Sequence, residues 1–131
     1  MTDTYEKYLE HPAGHILAVE DAMKIYKEMA ECIDKCTMPE KMRFWNDCIK
    51  RAAEYAKIRN DWELMTAEEK MAADEGRSLV HDGFIMSVNV LSRIAEKEGV
   101  DASWRSELGE DRKRIGDFAC FISYVTGISN R

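Results

Sequence analysis

The chain has 131 residues, of which 45% are apolar and 34% are charged, and its formal net charge is −6. This balance is typical of one globular domain and excludes a disordered chain. Both halves carry an acidic excess, so the composition argues against a nucleic-acid partner. No apolar run reaches the ~18 residues of a membrane span, and no charged and then apolar leader opens the chain. We therefore expect a cytoplasmic protein with no membrane partner.

Four cysteines in a reducing compartment are expected to be free thiols. Two of them, Cys32 and Cys36, are spaced to share one helix face, and Cys48 follows shortly after. A structural zinc site needs four ligands, and the sequence offers no second matching pair. We expect Cys32, Cys36, Cys48 and Cys120 to be small buried side chains, and we expect no cofactor.

The spacing of apolar residues predicts a long first helix and a long second helix. The first covers 15–36, with an apolar row formed by Ile16, Val19, Met23, Tyr26, Ala30 and Ile33. Ahead of it, residues 1–14 form an N-terminal extension that contains a turn at 11–14. The second helix covers 38–65 and begins at a capping box of Thr37 and Glu40. The short turn between the two helices predicts an antiparallel hairpin.

A third long helix, over 66–98, begins at a capping box of Thr66 and Glu69. Gly99 is a natural residue to end it, and Gly76 near its start favours a kink or a break.

A short helix over 101–108 and a last helix over 110–126 complete the chain, ended by Gly109 and Gly127. The apolar row of the last helix is Ile115, Phe118, Ile122 and Val125. The basic run at 112–114 is flanked by acidic residues, which is typical of a solvated helix face.

Together these elements predict one all-α domain over 1–131. The predicted architecture is a four-helix bundle in an up-down arrangement, with a short accessory helix between helices 3 and 4. Alternatives with three helices, which join or drop one segment, stay open.

A polar pair, His81-Asp82, interrupts the apolar run of the third helix. Helical geometry places His81 at the edge of the apolar row and Asp82 about a quarter turn away. Arg77 lies one turn before His81 and Asp74 one turn earlier, which gives a polar row beside the core. The favoured interpretation is a polar network in which His81 bonds a carboxylate or carbonyl and Asp82 pairs with a base on another helix.

The adjacent His81-Asp82 pair in an all-helical chain resembles the HD-domain phosphohydrolases. In that family an upstream His and a downstream Asp complete the metal ligands, and His15 and Asp117 would be the completions here. The Gly-Lys that often follows the family's pair is replaced by Gly83-Phe84. The resemblance implies a metal-dependent phosphohydrolase as one alternative. Another alternative is a small-ligand sensor that holds an anion between Arg77, His81 and Arg105.

The pair Trp104-Arg105 lies on the short helix and has two interpretations. Trp104 is either an exposed interface anchor or, more commonly for a lone Trp, a cap on the core.

No catalytic set is complete, so the sequence favours a non-enzymatic interaction or regulatory module over an enzyme. Its partner would be another protein or a second copy of the chain. The alternatives are the HD-like phosphohydrolase and a binder of small anionic ligands centred on His81-Asp82. The candidate binding residues are Asp74, Arg77, His81, Asp82, Trp104 and Arg105.

Overall fold

The computed structural model describes residues 16–62 and 64–127, and over these residues the chain forms five α-helices and no strand. The helices are α1 (Val19–Lys35), α2 (Lys41–Trp62), α3 (Ala67–Lys97), α4 (Trp104–Leu108) and α5 (Arg112–Thr126). The all-α prediction is confirmed, and the short helix lies within its predicted range of 101–108 but begins only at Trp104. The extension 1–14, its turn and His15 lie outside the described residues.

Local sequence signals define most of the helix ends. Gly99, Gly109 and Gly127 have φ angles of 72°, 81° and 66°, which favour glycine, and they follow α3, α4 and α5 as predicted. The capping box at the start of α3 is also confirmed. The Thr66 amide donates to Glu69 Oε1 at 2.8 Å, and the Glu69 amide donates to Thr66 Oγ1 at 3.1 Å.

The capping box predicted at the start of α2 is wrong, because Thr37 bonds to another helix. Its amide and hydroxyl donate to Glu98 Oε1 at 2.7 and 2.9 Å, and the Met38 amide donates to Glu98 Oε2 at 3.0 Å. The helix begins only at Lys41. The backbone hydrogen bond from Thr37 is the largest cause that lowers the pKa of Glu98. This carboxylate ties the α1–α2 turn to the end of α3.

Two other predicted bounds are corrected, at the start of α1 and the end of α2. Residues 16–18 are not helical, and α2 ends at Trp62 instead of 65. No break occurs at Gly76, which lies inside the unbroken 31-residue α3. One glycine costs only ~1 kcal/mol relative to alanine in a helix, too little to interrupt a helix held by packing.

Helix α5 is the centre of the fold. Ten consecutive residues, 115–124, are buried, and α5 contacts each of the other four helices. Only one buried face was predicted, and its last member, Val125, is 41% exposed. Small residues such as Gly116 and Ala119 let neighbouring helices pack against the other sides of α5. Because the prediction relied on the spacing of large apolar residues, it did not detect these buried sides.

Helices α1 and α2 pack less closely than the predicted hairpin implies, although the Tyr26 and Trp45 rings meet between them at a centroid distance of 5.9 Å. Helix α1 packs mainly against α4 and α5 and touches α2 little. Its buried row, Ala22, Ile25, Met29 and Cys32, lies about one residue away from the predicted one, and Met23 is 51% exposed.

Gly116 on α5 lies against the Tyr55 side chain of α2. A methyl group there would lie 2.8 Å from Tyr55 Oη, whereas one at Gly76 would meet nothing within 4 Å. We expect Gly116→Ala to lower the free energy of unfolding by ~1–3 kcal/mol through overpacking. The matched Gly76→Ala should raise it by up to ~1 kcal/mol. Urea unfolding of both variants checks this, and a Gly116→Ala variant as stable as wild type would contradict the close packing.

Candidate functional site

A pocket of about 400 Å³ lies where α2, α3 and the first turn of α5 meet. Its described lining is basic, aromatic and polar, and none of these lining residues is acidic, although the chain as a whole has a net charge of −6. The lining residues are Tyr55, Arg59, Trp62, Arg77, Ser78, His81, Arg112 and Lys113. Four basic side chains thus line one concave site.

His81 is buried at the wall of this pocket, with 5% of its surface exposed. Its Nε2 lies 2.8 Å from the backbone oxygen of Arg112, which can only accept, so Nε2 carries the proton. The imidazole packs edge-on against Tyr55 at a centroid distance of 5.0 Å. The Nδ1 atom is buried and has no hydrogen-bond partner among the described residues. Burial lowers the pKa of His81 below its ordinary value of 6.5, so the ring is neutral at neutral pH.

The lowered pKa of His81 predicts a stability loss in acid. The unfolded chain binds a proton at His81 more readily than the folded chain does. The stabilisation is therefore fully present above pH 6.5 and is lost as the pH falls below that value towards the folded-state pKa. We expect His81→Gln to show a weaker fall in the free energy of unfolding between neutral and mildly acidic pH than wild type. Parallel slopes for the two proteins in urea unfolding would contradict the neutral, buried imidazole.

Asp82 meets the same residue as His81 does. Its Oδ1 lies 2.8 Å from Arg112 Nη1, and both side chains are more than half exposed. As the sequence predicted, His81 bonds a carbonyl and Asp82 pairs with a base on another helix. His81 binds the backbone of Arg112 and Asp82 binds its guanidinium, so together they position the first turn of α5.

Arg77 is held by an aromatic ring instead of a carboxylate. Its guanidinium carbon lies 4.7 Å from the centroid of the Trp62 ring. No described acidic side chain lies within ion-pair distance of it, and its buried Nε has no hydrogen-bond partner in the described part of the chain. Asp74, predicted to extend the same polar row, is exposed and does not line the pocket.

Behind the pocket, Arg59 and Asp117 form an ion pair with an Nη1–Oδ1 distance of 2.7 Å. The two side chains are 6% and 0% exposed. The other carboxylate oxygen of Asp117 accepts from the amides of Ile16 and Leu17 at 2.7 and 3.1 Å. The sequence analysis did not identify Arg59 as a buried residue. Its position could have indicated burial, because Arg59 follows Ala52 and Ala56 at helical spacing on the buried face of α2.

The first turn of α5 opposes the local preference of a helix. Residues 112–114 are all basic, and no acidic residue lies in this turn apart from the capping Asp111. Cations at a helix N-terminus oppose the macrodipole and cost ~0.3–1 kcal/mol each. Arg114 is used structurally, donating to the carbonyls of Leu108 and Glu107. Arg112 and Lys113 line the pocket, and Arg112 is also more than half exposed, which agrees with the predicted solvated face.

Trp104 and Arg105 lie elsewhere and hold α4 in place. Trp104 is 1% exposed, which supports a place in the core instead of an exposed anchor. Arg105 donates to Asn89 Oδ1 at 2.7 Å and to the Gly109 carbonyl at 2.8 Å, and it pairs with Glu110 at 3.3 Å. The predicted grouping of Arg105 with Arg77 and His81 around an anion is therefore wrong.

In the part of the chain that the structure describes, the predicted metal ligands do not come together. Within 16–62 and 64–127, no group of three or more His, Cys, Asp or Glu is arranged to hold a metal ion. Asp117 binds Arg59, and the fourth candidate, His15, lies outside the described residues. The four cysteines are buried free thiols, and burial raises the pKa of Cys48 to about 12.

Comparison of the chain with protein-family models, with curated proteins and with solved structures finds no match. Over the described residues, no helix has the length and apolar character needed to cross a membrane.

Proposed function

We propose that this chain is a small, non-enzymatic binding module for an anionic ligand, which enters the pocket between α2, α3 and α5. One observation carries the proposal: four basic side chains and no acidic one among the described residues line a single pocket of about 400 Å³, with the carboxylates that pair with Arg59 and Arg112 standing outside this lining. Arginine presents a planar fork of donors to an oxyanion, and lysine adds a point charge. Three helices supply these groups, so only the folded chain assembles them.

Two further observations support binding at this place. The macrodipole of α5 favours an anion in front of its first turn, which Asp111 already caps at the Arg114 amide. A bound anion would also offset the repulsion between Arg112, Lys113 and the positive end of their own helix. Departures from local preference of this kind are typical of functional sites.

Binding is a better account than catalysis. The pocket's histidine is neutral, its Nε2 is engaged by the Arg112 carbonyl, and its Nδ1 is shielded from solvent. No carboxylate lines the described pocket, so no acid–base pair faces a ligand there. A ligand that draws Arg112 away from Asp82 would loosen the contact between α3 and α5, which gives the module a regulatory output. The association with a protein partner or a second copy stays a prediction.

Thermal unfolding in the presence of anions tests the proposed function. At fixed ionic strength, phosphate, pyrophosphate and citrate should raise the melting temperature of wild type, because a ligand at 100 times its Kd adds ~2.7 kcal/mol. Arg77→Ala should weaken binding at least about tenfold, since a charged hydrogen bond contributes ~1.5–3 kcal/mol.

Arg93→Ala is the matched control for Arg77→Ala. It removes an exposed arginine from the same helix, outside the pocket, and should keep the full ligand effect. Multivalent salts also stabilise proteins by exclusion from the surface, and that effect would be equal in all three proteins. Equal shifts in wild type and Arg77→Ala would therefore overturn the proposed function.

A further inference from the structure

We infer that the ligand of this pocket is a small phosphomonoester that carries a planar ring. The inference rests on the proposed function and adds the chemical class of the ligand. Three properties of the pocket lead to it: its size, the number of basic groups that face one anion, and the aromatic wall that α2 provides.

The size of the pocket exceeds that of a bare oxyanion. A volume of about 400 Å³ falls within the range of ~300–1,000 Å³ that holds small organic ligands. An isolated phosphate or carboxylate would leave most of this space unfilled. The ligand therefore has an organic part in addition to its anionic group.

The basic groups favour a phosphoryl group over a carboxylate. Arg77, Arg112 and Lys113 reach the pocket from two helices, and Ser78 adds a hydroxyl. A phosphomonoester carries a charge of about −1.5 to −2 at neutral pH and three acceptor oxygens, enough for several basic donors at once. A carboxylate has one charge and two oxygens. The start of α5 adds the positive end of its helix dipole, which favours the more highly charged group.

The aromatic wall favours a planar ring on the organic part. Tyr55 and Trp62 line the pocket from α2, and the Arg77 guanidinium lies 4.7 Å from the centre of the Trp62 ring. Aromatic rings and guanidinium planes are the surfaces on which planar bases stack. A ring joined to the phosphoryl group would extend this stack while the phosphoryl group meets Arg112 and Lys113.

Isothermal titration calorimetry of the full chain tests the inference with four probes. Adenosine monophosphate has both parts, glycerol phosphate lacks the ring, adenosine lacks the phosphoryl group, and inorganic phosphate lacks the organic part. We expect adenosine monophosphate to bind at least about fivefold more tightly than glycerol phosphate, the lower end of what base stacking contributes. Adenosine should show no measurable binding.

Trp62→Leu and Arg112→Gln separate the two halves of the ligand. Trp62→Leu should bring adenosine monophosphate and glycerol phosphate to equal affinity, whereas Arg112→Gln should weaken both phosphates. If wild type binds adenosine monophosphate and glycerol phosphate with equal affinity, the inferred planar ring is wrong, whereas anion binding still stands. If adenosine binds as tightly as adenosine monophosphate, the inferred phosphoryl group of the ligand is wrong. Failure of every phosphate probe to bind would overturn the proposed function as well.

Discussion

Replacing Asp117 with alanine should lower the free energy of unfolding by about 3–5 kcal/mol, one of the two largest effects expected in this protein. The variant leaves Arg59 charged, 6% exposed and without the carboxylate that lies 2.7 Å from it. It also removes the acceptor for the amides of Ile16 and Leu17. Chemical unfolding monitored by circular dichroism measures the loss.

Asp47→Ala is the matched control for Asp117→Ala. Asp47 also pairs with an arginine, Arg51, at 2.9 Å, but both side chains are more than two-fifths exposed. Exposed pairs of this kind contribute ~0–1 kcal/mol, so the control should stay close to wild type. The double variant Arg59→Met with Asp117→Leu should be more stable than Asp117→Ala, because no buried charge is left alone. Similar losses in the Asp47 and Asp117 variants would contradict the buried pair.

Replacing Trp104 with alanine should lower the free energy of unfolding by ~3–5 kcal/mol, the usual cost of removing a large buried aromatic side chain. Trp104 is 1% exposed and belongs to the core cluster that includes Leu108 and Phe118. It does not line the basic pocket, so the folded variant should keep wild-type affinity for anions.

Trp62→Ala should show the opposite pattern to Trp104→Ala, in which binding is affected more than stability. Trp62 is only partly buried and lines the basic pocket under Arg77. Its replacement should cost less stability than that of Trp104 but should weaken ligand binding. Unfolding and titration of the two variants side by side measure both quantities. A loss of anion affinity in Trp104→Ala with Trp62→Ala unaffected would contradict the assignment of core and pocket.

The sequence predicted the parts of the fold that neighbouring residues decide. The glycines after α3, α4 and α5 and the capping box at Thr66 are such local features, and all are confirmed. The capping box at Thr37 failed because Glu98, 61 residues away, takes its donors. No pattern of neighbouring residues predicts a partner so distant in the sequence. The central place of α5 was missed for the same reason, since it depends on how four other helices close around it.

The site was predicted only where one helix contains it. His81, Asp82 and Arg77 stand within one segment of α3, so periodicity brought them together. Arg59 and Arg112 reach the pocket from other helices. Spacing along the chain cannot predict which residues of different helices come together. The basic run of α5 was interpreted as a solvated face because flanking acids balance it in sequence. In space, the Asp82 carboxylate and the His81 imidazole engage its first residue.

Nuclear magnetic resonance titration of the isotopically labelled chain with inorganic phosphate tests the anion-binding pocket most directly. The amide signals of Arg112 and Lys113 should move saturably, together with the imidazole signals of His81, because an anion would lie in front of the first turn of α5. Signals of Arg93, an exposed arginine outside the pocket, should stay in place. Shifts that never saturate, or that are as large at Arg93 as at Arg112, would contradict the account.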